Sequence, residues 1–282
     1  MGRWEAGAGL CLAATPHPIC FHGVKPMPLI STEAGALFYT QRGKTGEALV
    51  CLHGAGGTHT HWGYQLRDLA GAARLYALDL PGHGRSALPG RLSVDDYAAS
   101  VLAFMDAVGL ERAALTGHSM GGAIALSAAL SHPERVAGLG LVATGARLRV
   151  APAILEGFTR DLAANIHMIV EYSYAAGAPA ELRAQAERAY ALCDPAVYRG
   201  DYLACDGFDV LDQLGEIGCP AEIVCGAEDR MTPPRYAELL RDRIGGARLT
   251  LVPGGGHMLP IEQPGAVTAA LRALVGRLYE PV

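Results

Sequence analysis

Short apolar segments alternate with segments of helical periodicity along most of this chain of 282 residues. The apolar segments span residues 48–52, 74–78, 113–116, 136–143, 221–225 and 249–252, and they are typical of buried strands. A strand that is followed by a helix and then by another strand predicts parallel strands linked across the faces of one sheet. The chain is therefore expected to adopt an α/β fold.

Three of the predicted helices have recognisable starting residues. Ser93 is followed by Asp96 three residues later, as in a capping box, and apolar residues then recur at helical spacing. Pro233 and Pro264 each begin a further helix, because proline is favoured in the first helical turn. We expect these helices to lie on the sheet.

The alternation of strands and helices stops between about Ala146 and Phe208, where residues 152–168, 179–192 and 195–203 are helical in pattern without a strand between them. We interpret residues 146–208 as an inserted helical cap on a core formed by residues 31–145 and 209–282, with residues 1–30 as an N-terminal extension. The cap carries side chains that either enclose a small organic substrate or form the cap's own core: Phe158, Met168, Ile169, Tyr172, Tyr174 and Tyr190.

Composition and charge disfavour several classes of protein. The chain is 50% hydrophobic, and its net charge of -5 without a basic run disfavours nucleic-acid binding. Its seven cysteines form no C-x-x-C pair, so we expect a reduced, cytoplasmic protein. The uncharged residues 113–133 contain glycines and polar residues, which favours a strand, a turn and a helix over a membrane span. The weak apolar run at residues 6–14 predicts no signal peptide, and Met27 is an alternative start.

The most specific motif is Gly117-His118-Ser119-Met120-Gly121, which follows a predicted strand and precedes a helical run. A G-x-S-x-G motif in this setting is typical of a nucleophilic serine on a sharp turn, where the glycines avoid clashes with nearby backbone. The chain has only eight serines, so a chance match is uncommon. Ser119 is therefore the candidate nucleophile, and His118 is expected to pack beside it.

A serine hydroxyl needs a base that accepts its proton, and the base needs an acid that orients it. His257 is the best candidate base, because it follows the last predicted strand in a glycine-rich loop. Glu228 and Asp229 follow the strand at residues 221–225, and either could be the acid. We favour Asp229, which lies further into the loop. The nucleophile, the acid and the base therefore follow one another along the chain as Ser119, Asp229 and His257, which is one of the known chain orders of a serine triad.

Two backbone N–H groups are the expected donors to the oxyanion of a tetrahedral intermediate. Met120 follows the nucleophile and supplies one, and Ala55 in the glycine-rich turn at residues 53–57 supplies the other. This turn matches neither phosphate-binding pattern, G-x-G-x-x-G or G-x-x-x-x-G-K-[ST]. His59-Thr60-His61 has no carboxylate at metal-ligand spacing, so we expect no metal site.

Together these motifs resemble those of the α/β-hydrolase fold superfamily, over residues 31 to 282. The resemblance rests on residues 53–57, 79–86, 117–121, 226–229 with Pro233, and 256–257. It implies a mostly parallel eight-stranded sheet with an antiparallel first strand, flanking helices, an inserted helical cap after the sixth strand, and a Ser119, Asp229, His257 triad. It also implies structural roles for Asp79 and His83 and a helix-start role for Glu262. A serine nucleophile disfavours the related dehalogenases and epoxide hydrolases, which use aspartate.

The favoured hypothesis is a capped serine esterase that needs no cofactor and acts on small to medium, largely apolar carboxylic esters through an acyl-enzyme. We expect a small-molecule substrate that contacts Gly54, His118, Phe158, Tyr172 and Met258. We expect no nucleic-acid or membrane partner, and the sequence is compatible with a homodimer. A carbon–carbon bond hydrolase, a lactonase or a perhydrolase would use the same triad. A non-catalytic ligand receptor is the alternative from another class, and an activity probe that labels Ser119 would separate it from the enzymes.

Overall fold

The computed structural model describes residues 29–278, and an eight-stranded sheet forms its centre. The strands are β1 (Leu29–Thr32), β2 (Gly35–Arg42), β3 (Ala48–Leu52), β4 (Arg74–Leu78), β5 (Ala113–His118), β6 (Val136–Val142), β7 (Ala221–Gly226) and β8 (Arg248–Val252). Their order across the sheet is β1-β2-β4-β3-β5-β6-β7-β8. The six strands predicted from the apolar segments are confirmed as β3 to β8, and β1 and β2 are added to them.

The sheet is parallel apart from β2, which is antiparallel to both of its neighbours, β1 and β4. The family resemblance implied that the first strand is the antiparallel one. In the structure it is the second strand, β2. The physical reason is the short connection between β1 and β2, which has two residues and can join only antiparallel strands.

Helices cover both faces of the sheet. In the described part of the chain they are α1 (Gly63–Asp68), α2 (Val94–Ala107), α3 (Met120–Ser131), α4 (Pro152–Arg160), α5 (Leu162–Ser173), α6 (Ala180–Tyr190), α7 (Pro195–Gly207), α8 (Pro234–Arg243), α9 (Leu259–Glu262) and α10 (Pro264–Leu278). The predicted start of α2 is confirmed, because the Ser93 hydroxyl accepts a hydrogen bond of 3.1 Å from the Asp96 N–H. The last helix begins at Pro264, as predicted.

The residues of β3 show how one strand serves two cores. Leu49 and Cys51 belong to the apolar cluster that contains residues of α1 and α10, whereas Val50 and Leu52 belong to the cluster formed with α2, α3 and α8. Successive side chains of a strand point to opposite faces. All five residues of β3 are buried, which explains why a continuous apolar segment predicted this strand.

Four helices, α4 to α7, lie between β6 and β7 and have an apolar cluster of their own. The segment at residues 152–168, predicted as one helical piece, is divided between two helices at Asp161. The backbone of Asp161 is extended, with φ -159°, and its carboxylate accepts a hydrogen bond of 3.0 Å from the Ala164 N–H. Asp161 therefore ends α4 and caps α5.

Most of the predicted N-terminal extension lies outside the described residues, since β1 begins at Leu29. Among residues 29–278, no helix combines the length and the apolar character that crossing a bilayer requires. The loops that follow β3, β5, β7 and β8 all leave the carboxyl ends of parallel strands. They therefore meet at one edge of the sheet, where open α/β sheets bind their ligands.

Candidate active site

Ser119 occupies the sharp turn between β5 and α3. Its φ of 54° lies in a region that side-chain-bearing residues rarely adopt, and the predicted strand-turn-helix setting is present around it. A Cβ atom at Gly117 would overlap the backbone of Gly121, and a Cβ atom at Gly121 would overlap the backbone of Leu52. The two glycines of the motif are therefore required by the close approach of the helix start to the sheet.

The backbone of this turn is held on both sides. The Ser119 N–H donates to the Val142 carbonyl at 3.0 Å, and the Ser119 carbonyl accepts from the Thr144 hydroxyl at 2.7 Å. Met120 is the first residue of α3, and the first N–H groups of a helix have no acceptor within the helix. The Met120 N–H is therefore available beside the Ser119 side chain.

The glycine-rich turn after β3 lies directly against Ser119. A Cβ atom at Gly54 would be 3.2 Å from the Ser119 Cβ atom. The Gly57 N–H donates to the Gly54 carbonyl at 3.0 Å, and the Gly56 N–H donates to the Asp201 carboxylate at 2.8 Å. Two N–H groups of this turn are thus engaged within the protein, and Ala55, the predicted donor, precedes them.

His257 and Asp229 are in direct contact at the ends of β8 and β7. His257 Nδ1 lies 2.9 Å from Asp229 Oδ2, and both side chains are buried. Burial alone would raise the pKa of the Asp229 carboxyl, but the charge of His257 and hydrogen bonds from His257 and Thr232 outweigh it and lower that pKa. Asp229 is therefore ionised at neutral pH and oriented toward the imidazole.

Thr232 is a site residue that the sequence analysis missed. Its hydroxyl donates to Asp229 Oδ2 at 2.8 Å and lies 3.1 Å from His257 Nδ1, while its N–H donates to Asp229 Oδ1 at 2.8 Å. A threonine three residues after an aspartate is a signal of such a local turn. The alternative acid, Glu228, is exposed, and its carboxylate accepts from the Ala176 N–H at 3.3 Å.

His118, the neighbour of Ser119, lies beneath His257. The His118 Nε2–H donates to the His257 carbonyl at 2.9 Å, and the two ring centroids are 4.8 Å apart. Burial, together with the nearby His257 and His61, lowers the pKa of His118 well below its ordinary value. His118 is therefore neutral, and its hydrogen bond fixes the backbone of His257.

Glu262 holds the loop that carries His257. Its carboxylate accepts hydrogen bonds from the N–H groups of Gly256 at 3.3 Å, Met258 at 3.0 Å and Ala175 at 2.9 Å. Gly256 and Met258 flank His257 on both sides, and Ala175 follows α5. Glu262 thus ties the loop after β8 to the end of α5. It is the last residue of α9, so it does not begin a helix as the family resemblance implied.

Ser119 and His257 line one cavity of about 70 Å³. Three of the five predicted substrate contacts, Gly54, His118 and Met258, line it as well. Its other lining residues are Ala55, Leu148, Arg149, Val150, Ile169, Ser173, Tyr190, Tyr202, Cys205, Met231, Thr232 and Tyr236. Ile169 and Tyr190 were among the cap side chains named from the sequence. Most of the others carried no local signal, because only tertiary packing brings the segment after β6, the cap helices and the segment after β7 to Ser119.

The other two predicted contacts, Phe158 and Tyr172, lie outside this cavity. Phe158 is buried in the apolar cluster of the four helices, with its ring centroid 5.1 Å from that of Tyr198. Tyr172 is 51% exposed and lies under the Arg230 guanidinium at 5.0 Å. On α5, Ile169 and Ser173 line the cavity at Ser119, whereas Tyr172 lines an outer cavity of about 380 Å³.

The histidines near the site do not form a cluster with metal-binding composition. His59 Nδ1 bonds the Asp79 carboxylate at 2.7 Å, and His53 Nε2 accepts from the Leu80 N–H at 3.0 Å. Within residues 29–278, no group of three or more His, Cys, Asp or Glu side chains is arranged to hold a metal ion. These histidines instead connect the loops after β3 and β4.

The amino-acid sequence is similar to those of known hydrolases. Residues 49–271 match the family model described as "Alpha/beta hydrolase family". A pimeloyl-[acyl-carrier protein] methyl ester esterase of Edwardsiella ictaluri (strain 93-146) is 32% identical over 251 residues, which cover 84% of this chain and 96% of that protein.

Two solved structures are similar over nearly the whole described chain. A thermophilic esterase has 31% sequence identity and a TM-score of 0.79, and the match covers 89% of this chain and 98% of that one. Est816, described as an N-acyl homoserine lactone degrading enzyme, has 27% identity and a TM-score of 0.80, with coverage of 87% and 99%. The similarity therefore covers most of this chain and nearly the whole of each of the two solved structures.

Proposed function

The chain belongs to the α/β-hydrolase family, and from this membership and the site geometry we propose that it is a serine hydrolase of small to medium, largely apolar carboxylic esters. The observation that carries the proposal is the contact of 2.9 Å between His257 Nδ1 and Asp229 Oδ2, because His257 also lines the same cavity as Ser119. A buried carboxylate that bonds Nδ1 leaves Nε2 of the imidazole to act as the base.

In the first half of the reaction, the Ser119 Oγ attacks the ester carbonyl carbon while His257 Nε2 takes the hydroxyl proton. The C–O bond to the alcohol then breaks, and His257 returns the proton to the leaving oxygen. In the second half, His257 Nε2 takes a proton from water while the water oxygen attacks the acyl carbon. The bond between this carbon and Ser119 Oγ then breaks, His257 returns the proton to Ser119 Oγ, and the carboxylic acid leaves. Asp229 stabilises the imidazolium in both halves, because its lowered pKa keeps it ionised.

Two backbone N–H groups would stabilise the negative oxygen of each tetrahedral intermediate. The Met120 N–H stands at the start of α3, where the helix dipole also favours a negative charge. The Ala55 N–H comes from the turn whose other N–H groups, those of Gly56 and Gly57, are engaged within the protein. A single donor of this kind contributes a factor of about 10² to 10³ to turnover.

The cavity supports an apolar ester of limited size. About 70 Å³ beside Ser119 has room for only a few non-hydrogen atoms, and the outer cavity of about 380 Å³ shares the lining residues Val150, Ile169 and Tyr202 with it. Arg149 stands at the same boundary, but its guanidinium donates to the Asp206 carbonyl at 3.0 Å and lies 4.0 Å from the Asp209 carboxylate. The segment α4 to α7 thus acts as a cap that encloses the site and selects the substrate.

The names of the similar proteins agree with ester chemistry. Two of them are esterases, and the third degrades a lactone, which is an ester closed into a ring. We therefore include a lactone beside linear esters in the substrates to be tested. The triad chemistry requires no cofactor for either kind of substrate.

The test is hydrolysis of p-nitrophenyl acetate, p-nitrophenyl butyrate and a homoserine lactone by the wild-type protein and by S119A. We expect wild-type turnover of at least one of these substrates and a loss of about 10⁴-fold or more in S119A. S131A is the matched control, since Ser131 ends the same helix and bonds only the Ser127 carbonyl and the His132 ring. A folded S119A protein with wild-type turnover, or wild-type protein that a fluorophosphonate probe fails to label, contradicts the proposal.

A further inference from the structure

Asp201 of α7 is a buried carboxylate that reaches from the cap into the core. It is 0% exposed, and its two oxygens accept hydrogen bonds from three separate segments. The Tyr97 hydroxyl of α2 donates to Oδ1 at 2.6 Å, while His83 Nε2 and the Gly56 N–H each lie 2.8 Å from Oδ2. Since Gly56 belongs to the turn beside Ser119, this carboxylate connects the cap to the proposed oxyanion site.

His83 and Asp201 form an ion pair, because each ring nitrogen of His83 faces an acceptor oxygen. His83 Nδ1 lies 3.0 Å from the Pro81 carbonyl, and His83 Nε2 lies 2.8 Å from Asp201 Oδ2. Both oxygens can only accept, so both ring nitrogens carry a proton and the ring is positively charged. The side chains of His83 and Asp201 are both 0% exposed. A buried pair of this kind is stable only in one well-defined geometry, which fixes the position of Asp201 Oδ2.

The same helix also limits where Gly56 can lie. A Cβ atom at Gly56 would be 2.5 Å from the Tyr198 ring, and the φ of Gly56 is 65°. Tyr198 precedes Asp201 by one helical turn on α7. The ring of Tyr198 therefore contacts the turn while the carboxylate of Asp201 bonds its N–H, so α7 holds the turn by two independent contacts.

We propose that Asp201 is a positioning residue that sets the orientation of the Ala55 N–H toward the reacting carbonyl. This inference rests on the proposed function. The Gly56 N–H and the Ala55 N–H belong to successive peptide units joined at the Ala55 Cα atom, so fixing the first restricts the second. An oxyanion donor is effective only when it is oriented before the reaction. The cap thus acts on the chemistry as well as on the choice of substrate.

The test compares D201N with Y97F, using a p-nitrophenyl ester and a boronic acid that mimics the tetrahedral intermediate. Asparagine has the shape of aspartate but lacks the charge and presents one donor group, so it cannot serve Gly56, His83 and Tyr97 together. We expect kcat of D201N to fall by about 10- to 100-fold with KM within about threefold, and the boronic acid to bind more weakly by a similar factor.

Y97F is the matched control, because it removes one hydrogen bond from the same carboxylate and leaves the bond to Gly56 in place. We expect its kcat to stay within about threefold of the wild type. A folded D201N protein with wild-type kcat overturns the inference, and so does an equal loss of kcat in D201N and Y97F. Thermal unfolding of each variant establishes that it is folded.

If D201N fails to fold, H83Q takes its place. Glutamine removes the positive charge that fixes Asp201 Oδ2, the oxygen that also accepts from the Gly56 N–H, whereas Y97F affects only Oδ1. A lower kcat with an unchanged KM supports the inference, and wild-type kcat in folded H83Q overturns it. S119A tests the proposed function separately: if S119A keeps its turnover, the function itself fails, whereas loss of turnover in S119A with wild-type kcat in D201N removes only the role of Asp201.

Discussion

The two sides of the cavity are built differently. On the core side, Ser119, Asp229 and His257 each follow the end of a strand, and backbone hydrogen bonds to residues of β6 and β7 hold Ser119 and Asp229. On the cap side, the wall is formed by side chains from separate helices, such as Ile169 of α5 and Tyr202 of α7. Residues at strand ends thus carry the proposed chemistry, while the packing of a separate helical unit determines which substrates reach it.

Several hydrogen bonds join the two sides, and two carboxylates take part in them. Asp201 joins α7 to the turn beside Ser119, and Glu262 joins the loop of His257 to the residue Ala175 that follows α5. The His257 N–H also donates to the Ser173 carbonyl at 2.7 Å. Changes of Ser119, Asp229 or His257 are expected to alter kcat, and changes of cap side chains that only line the cavity are expected to alter selectivity. Asp201 is the cap residue that is expected to alter kcat.

The largest effect is expected on the core side, from D229N. Asparagine would keep the shape of Asp229 but would favour the wrong tautomer of His257 and leave the imidazolium unstabilised. We expect kcat to fall by about 10⁴-fold in steady-state ester hydrolysis. E228Q, which changes the adjacent exposed carboxylate, should keep its kcat within about twofold of the wild type. The opposite ranking of the two variants would show that Glu228 is the acid.

A smaller effect, of a different kind, is expected on the cap side from V150F. Val150 lines both the cavity at Ser119 and the outer cavity, so a larger side chain would narrow the passage between them. We expect kcat/KM for a p-nitrophenyl octanoate to fall by about tenfold relative to that for the acetate. Tyr172 lines only the outer cavity, and Y172A should change this ratio by less than about twofold. Equal losses with both esters in V150F would place its effect on the chemistry instead.

The smallest effect is expected for the pair of His83 and Asp201, which lies between the two sides. It concerns the pH dependence of the free energy of unfolding. Burial would lower the pKa of His83, but the charge of Asp201 and hydrogen bonds to Asp201 and Pro81 outweigh it and raise that pKa; Asp79 adds to the rise. The folded state thus favours protonated His83, so this stabilisation is complete below the ordinary histidine pKa of about 6.5 and is lost as pH rises through the raised value.

The measurement is thermal unfolding of the wild type and of H83Q between about pH 6 and pH 10. The pH effects of titratable groups that both proteins share cancel in the difference between their Tm values. We expect the wild type to be more stable at pH 6 and the difference to narrow by a few degrees toward high pH, at about 2–4 °C per kcal/mol for a chain of this size. A difference that stays constant or widens with pH would show that His83 is neutral in the folded protein.

Much of the core could be predicted from the sequence because its signals are local. The six buried strands are continuous apolar segments, and the turn of Ser119 needs glycines at fixed positions. The strands β1 and β2 gave no such signal, since β1 is only partly buried and the polar residues Thr40, Gln41 and Arg42 end β2. The helix break at Asp161 was missed because apolar periodicity continues across a capping residue.

The fold class could be predicted from the alternation of apolar and helical segments along the chain, and the nucleophile turn and the candidates Ser119, Asp229 and His257 from motifs of a few neighbouring residues. The folded structure was needed to show that Asp229 rather than Glu228 meets the imidazole, that Phe158 and Tyr172 lie outside the cavity, and that Asp201 bonds the turn beside Ser119. These contacts join residues far apart in the chain, and the burial of whole helix faces, to which no single residue type is specific, brings them together.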